Sequence, residues 1–186
     1  MWLTVVSIFI LVGLDQASKC WAIQVLQPLG SMPFWPGVMQ LTYTLNDGAA
    51  FSLFAGQQRL LIAVTSVALL ALLGFVLWGG AHNAFSRWGL ILILGGGLSN
   101  LLDRLLNGQV VDYFDVTFMN YAVFNLADCF VTVGCALLFI GILFGERLAA
   151  RRAKKALRTA QKGAADDLPR PVPGGRQDAG GQGHAR

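Results

Sequence analysis

Charge is scarce in this chain. Only 13% of the residues are Asp, Glu, Lys or Arg, against about a quarter in soluble globular domains, while 55% are hydrophobic. That balance places the chain among membrane proteins. Histidine is nearly absent. The two that exist are His82, in a short connection, and His184, near the C-terminus, so neither a histidine-bearing triad nor a His-ligated metal fits the rest of the chain. The three cysteines, Cys20, Cys129 and Cys135, lack CxxC spacing and read as small core residues of apolar helices, not as a nucleophile or a disulfide. The N-terminal run has neither a basic start nor a small-residue cleavage pattern, and it carries Asp15 and Lys19. It reads as a retained span, not a signal peptide.

Four apolar runs are long enough to cross a bilayer core, which takes roughly 17 to 25 helical residues: Trp2 to Val25, Leu60 to Trp78, Trp88 to Leu106 and Phe124 to Phe144. Lys and Arg concentrate after the fourth run, from Arg147 to Arg158, and Arg87 lies between the second and third. By the positive-inside rule both termini are expected in the cytoplasm, with residues 26–59 and 107–123 outside. Residues 1–158 then form a four-helix transmembrane domain. Residues 159–186, rich in Pro, Gly and charge, are expected to be a disordered cytoplasmic tail.

The charges inside the spans fall at similar heights. At about 1.5 Å per residue, Asp15 and Lys19 lie about 20 and 26 Å above the inner end of their helix, Asp103 and Arg104 about 22 and 24 Å, and Asp128 about 24 Å. Three helices thus bring ionisable groups to one layer below the outer surface, where burial of charge is costly and signals function. Positions three and four apart share a helix face. That spacing groups Asp15 with Lys19, Asn100 with Asp103 and Arg104, and Asn125 with Asp128. A buried network that merely orients the helices is the plainer alternative, but Asp112 and Asp115 lie in the short outer loop beside the same layer.

The longer outer segment alternates Met39, Leu41, Tyr43 and Leu45 with Gln40, Thr42 and Thr44, the period of a half-buried strand. Asn46, Asp47 and Gly48 predict a turn, and "AAFSLF" predicts a returning strand. Phe34 and Trp35 suit the membrane interface. The expectation is an all-α membrane bundle of four helices under a small extracytoplasmic β platform, at about residues 36–56.

Without histidine or paired cysteine, carboxylate chemistry is the main option; a serine such as Ser18, Ser52 or Ser99 with Lys19 as base stays open. Two close carboxyls split their titration, so one ionises while the other keeps its proton. The first can take a proton from an attacking water and the second can hydrogen-bond the developing oxyanion. Asp112 and Asp128 are the pair whose positions suit this. A transporter is the rival reading, but such sites lie near the bilayer midplane between repeats, and no repeat is evident here.

The ordered set "DQASK" (15–19), "NDGAAFS" (46–52), "GGGLSNLLDR" (95–104), "VVDYFD" (110–115) and "FNLAD" (124–128) closely resembles the bacterial lipoprotein signal peptidases, or signal peptidase II. The resemblance spans most of residues 10–130. It implies an inner-membrane aspartic peptidase, working as a monomer without cofactor, metal or nucleic acid. Its substrate would be a diacylglyceryl-modified prolipoprotein, whose lipid stays in the membrane and whose signal peptide is cut off before the lipidated cysteine. By motif position the dyad is Asp112 and Asp128, toward the periplasmic face. Asp15, Lys19, Asn46, Asn100, Asp103, Arg104 and Asn125 would position dyad and substrate, with Asp115 in support. Asp47 stands where the family usually has Thr, and Ser99 where Gly is common.

Overall fold

The computed structural model describes residues 2–48, 54, 56–80 and 83–145. Among the described residues, four helices are long and apolar enough to cross a membrane: α1 (Trp2–Leu29), α2 (Gln58–Leu77), α3 (Ala84–Asn107) and α4 (Leu126–Gly145). Each overlaps one expected span. Helix α1 outruns its apolar stretch because Pro28 sits in the last turn, and the helix closes where Gly30 adopts φ 78° and donates its N–H to Leu26 O at 2.7 Å. Helix α3 starts at Asn83, whose side chain accepts from Ser86 N at 2.9 Å and donates to Gly141 O at 2.8 Å, tying the start of α3 to the end of α4.

Helix α3 is the central one, with over half of its apolar window buried, whereas α1, α2 and α4 expose most of theirs. Exposed side chains such as Phe9, Val67, Leu70 and Phe139 are what a helix presents to lipid. Cys20 and Cys135 are exposed too and Cys129 is half-buried, all three with free thiols. The expectation that they are core residues fails because, in a bilayer-facing helix, an apolar side chain gains nothing by turning inward.

Close helix approach relies on missing side chains. A Cβ on Gly89 would lie 2.7 Å from Gly134 O, one on Gly134 2.8 Å from Gly89 O, and one on Gly96 would overlap the carbonyl oxygen of Ala127. Small residues let α3 and α4 meet backbone to backbone, the usual device where lipid removes any hydrophobic drive between helices.

Three antiparallel strands, in the order β1 (Ser31–Trp35), β2 (Met39–Asn46) and β3 (Val110–Val116), form the sheet. The platform therefore begins at Ser31, earlier than expected, and its third strand is the segment read as a loop. The expected return strand over 49–54, the basic cluster after Glu146 and the tail lie outside the described residues, apart from Phe54. Tyr113, Val111 and Leu41 pack the sheet onto Ala22 and Leu26 of α1.

One irregularity in the sheet aims the site. Leu41 stands opposite Phe114, but Thr44, not Tyr43, stands opposite Asp112, so β2 carries one extra residue. Tyr43 N–H bonds instead to Gly30 O at 3.0 Å. In a regular ladder Tyr43 and Leu45 would share the face of Asp112; the bulge gives that face to Thr44 and Asn46.

The glycine contacts generate a paired prediction. Gly96→Ala, which meets backbone, should destabilise the protein by about 1–3 kcal/mol. Gly97→Ala meets only the end of Leu69, 2.7 Å away, which can rotate, so it should shift thermal unfolding in detergent much less. Equal shifts would contradict the backbone-contact account.

Candidate active site

Five elements, α1, α3, α4, β2 and β3, converge on one polar cluster, and its deepest member is Asp15. This side chain is fully buried. Its Oδ2 accepts from Lys19 Nζ and from Ser99 Oγ, both at 2.7 Å, and its Oδ1 accepts from the backbone N–H of Ala127 at 2.7 Å. Ala127 lies in the first turn of α4, where backbone N–H groups lack helical partners and the helix dipole favours an anion. Asp15 therefore joins α1, α3 and α4 at a single carboxylate.

Lys19 completes the base of the cluster. Its ammonium lies 2.7 Å from each of Asp15 Oδ2, Asp103 Oδ2 and Asn100 Oδ1, which engages all three of its protons. A buried charge of this kind is tolerated only with such complete pairing. It leaves Lys19 without a lone pair to act as a base for a serine. Ser99 is fully buried and donates to Asp15, while Ser18 donates to the Asp15 carbonyl at 2.6 Å and accepts from Tyr113 Oη at 2.7 Å. Ser52 and both histidines lie outside the described residues.

Above this base, Asn125 and Asp128 form a reciprocal cap. Asn125 Oδ1 accepts from Asp128 N at 3.0 Å, and Asp128 Oδ2 accepts from Asn125 N at 3.1 Å, the arrangement of a capping box. Asn125 is thus the residue before α4, not a member of its face, and Asp128 stands in the first turn. The chain reaches this point because Phe124 returns to pair with Phe114 through bonds of 2.7 and 3.1 Å. That return lays Asn125 beside β3.

Asp112, on β3, faces the cap. It is 1% exposed, and its carboxyl accepts from Asn125 Nδ2 at 2.6 Å and from Asn46 Nδ2 at 2.9 Å. Asn46 is itself oriented by Gly48 N–H, which donates to its Oδ1 at 2.9 Å. Asp128 Oδ1 accepts from Asn100 Nδ2 at 2.9 Å, and Asn100 Oδ1 accepts in turn from Asn125 at 3.2 Å. Among the described residues, every bond to the carboxyl oxygens of Asp112 and Asp128 thus comes from an amide. Arg104 lies alongside, donating to Gly48 O at 2.9 Å and to Asn100 O at 3.3 Å; its buried Nε has no hydrogen-bond partner among the described residues.

Burial pushes the Asp112 carboxyl up to about 6. The bond from Asn46 opposes the rise, the nearby Asp128 charge adds to it, and the bond from Asn125 and the Lys19 charge oppose it more weakly. Burial also raises the Tyr113 phenol, to about 12, so it remains a hydrogen-bond donor to Ser18 at physiological pH.

All nine residues expected at the site meet in this cluster. Asp115 does not: it is bound within the sheet by Gln40 Nε2 at 2.7 Å and Thr42 Oγ1 at 2.9 Å. Gln16 was missed. Its Nε2 donates to Asp103 Oδ1 at 2.8 Å and to Ser99 Oγ at 3.0 Å, and the available signal was a bare amide within an apolar span.

Bilayer-length helices enclosing a buried acid–amide cluster define a multi-pass membrane protein with a built polar site. Residues 7–144 match the family model described as Signal peptidase (SPase) II. The chain belongs to that family of membrane peptidases. It is 42% identical over 138 residues to a lipoprotein signal peptidase of Lactococcus lactis subsp. cremoris strain SK11, covering 73% of this chain and 91% of the relative. It is also 42% identical over 144 residues to that of Clostridioides difficile strain 630, covering 77% and 97%. A solved structure described as a bacterial membrane enzyme, determined by the in meso method at 2.3 Å, superposes with a TM-score of 0.70 at 29% identity over 77% of this chain and 88% of its own. A second, at 1.9 Å, gives 0.68 at 29% identity over 77% and 94%.

The raised Asp112 pKa fixes the sign of a pH effect. Between the unperturbed value of 3.8 and about 6 the folded protein holds a proton that the unfolded chain has lost, so this group's contribution to stability falls as pH rises through that window. Thermal unfolding measured from pH 4 to 7 should show a decline that Asp112→Asn removes. A variant with an unchanged pH slope would refute the assignment.

Proposed function

We propose that this chain is an aspartic endopeptidase that removes the signal peptide from diacylglyceryl-modified prolipoproteins by cutting before the lipidated cysteine. The observation that carries this reading is the pairing of Asp112 and Asp128, two carboxyls from separate elements held by the same Asn125. The relatives' name, lipoprotein signal peptidase, supplies the substrate class. The occupied valences of Lys19, Ser18 and Ser99 argue against a serine–lysine alternative.

The chemistry follows from sharing one proton across the dyad. Water bound between the carboxyls gives a proton to the ionised member as its oxygen attacks the scissile carbonyl. The protonated member donates to the oxyanion, then passes its proton to the leaving nitrogen. Asn46, Asn100 and Asn125 hold the carboxyls in place, and Arg104, donating toward the Gly48 carbonyl, positions the chain that borders the site. Asp15, Lys19 and Asp103 form the foundation beneath. The enzyme works as a monomer, without cofactor, in the bacterial inner membrane. Both termini are cytoplasmic and the site faces the periplasm, where the lipid of the substrate stays in the bilayer while its scissile bond reaches the dyad.

Asp112→Asn and Asp128→Asn should each lower cleavage of a purified lipid-modified prolipoprotein by a factor on the order of 10² to 10⁴, with insertion intact. The double variant should be little worse, because members of one catalytic unit are not additive. Multiplied losses, or substantial cleavage by either single variant, would refute the dyad.

Orientation has a separate check. Reporter fusions after Gln57 and after Arg158 should signal outside and inside respectively, and an external signal from the second would reverse the topology.

A further inference from the structure

Between α1 and α2 lies a cleft floored by α3. Its apolar part has a volume of about 460 Å³ and reaches from Phe9 and Leu70 to Leu98 and Leu101, with Ser66 its only polar side chain among the described residues. A further cavity of about 170 Å³ shares Val5, Ile8 and Leu73 with the first and leads toward Thr4 and Arg87. The two cavities adjoin along these three side chains and together make a slot. From Arg87 to Leu101 it follows α3 for about 21 Å, more than half of a roughly 30 Å hydrocarbon core.

The two ends of this slot differ in chemistry. The deep end offers nothing to hold water, since a buried water needs two or more polar partners. The Arg87 end lies at the level of Trp2, Trp78 and Trp88, which are 78%, 94% and 53% exposed, as aromatic side chains are at a membrane–water interface. Arg87 is exposed there, and no carboxylate among the described residues pairs with it. A guanidinium at the headgroup level above an apolar slot matches an acidic lipid in both charge and shape, because its planar fork binds phosphate through two parallel bonds.

We infer that this cleft binds one phospholipid with an anionic headgroup, its phosphate at Arg87 and Thr4 and one acyl chain between α1 and α2. The Arg87 end of the slot lies at the end of α3 opposite Asp103, so the headgroup position is separate from the place where substrate is cut. Its consequence is mechanical. Helix α2 is the least buried of the four, and a bound acyl chain gives it a second wall in addition to α3.

The test uses the full chain in detergent with a phosphatidylglycerol or a phosphatidylcholine of identical chains, and native mass spectrometry to count retained lipid. One phosphatidylglycerol should be retained about fivefold more tightly than phosphatidylcholine, as one basic residue at the headgroup level provides. Arg87→Gln, a change at an exposed position, should abolish that preference. A phosphatidylglycerol carrying a photoreactive group near the end of its chain should label peptides containing Ser66, Leu98 or Leu101. Equal retention of both lipids, a preference that survives Arg87→Gln, or labelling confined to other helix faces would overturn the inference. So would displacement of the label by lipidated substrate or by self-association, since either would assign the cleft to a different occupant.

Discussion

The carboxylate of Asp15 is the contact on which the rest of the cluster depends. It neutralises Lys19, accepts a hydrogen bond from Ser99 and caps the backbone of α4 at Ala127. In a bilayer the N-terminus of a helix has no water to satisfy its free N–H groups, so α4 can begin inside the protein only where an acceptor already waits. Asp15 supplies that acceptor from α1. The position of Asp128, one residue beyond Ala127, follows from it.

The polar cluster also explains why this bundle has one fixed arrangement. Apolar helix faces slide past one another at little cost in lipid, and three of the four helices here are mostly exposed apolar surface. Two features set the register instead: the glycine contacts between α3 and α4, and the bonds from Asp15, Lys19 and Gln16 to α3. The price is a buried charge network, which is tolerable because each charged group has partners. The sheet adds the remaining carboxylate from a separate part of the chain, resting on Ala22 and Leu26 of α1.

Helix number and the common level of the charges along the helices were legible because both follow from counting: an apolar run of bilayer length, and a fixed rise per residue. The strands were less legible. Val110–Val116 is rich in β-branched and aromatic residues, yet its two aspartates and its position between spans made it read as a loop. Ser31–Trp35 contains Pro33, which argues against an interior strand but is acceptable on the sheet edge that β1 occupies. The bulge in β2 leaves no composition signal, and neither does the return of Phe124 to β3, since both depend on partners distant in sequence. Asn125 was placed with the right neighbour for an incomplete reason: helical spacing paired it with Asp128, whereas the bonding is that of a helix cap.

The amides around the two carboxyls give the site a directional polarity. Asn46, Asn100 and Asn125 each turn a nitrogen toward an acid and an oxygen toward an N–H or ammonium donor. An aspartate at any of these places would have nearly the same outline but would set acceptor against acceptor. Slow hydrolysis of a single amide to its acid would therefore break the bonding of the cluster without changing its outline. Chemical ageing of three side chains therefore bounds how long such an arrangement lasts, and the burial of Asn100 and Asn125, which keeps water and backbone nitrogen from attacking them, is a form of preservation.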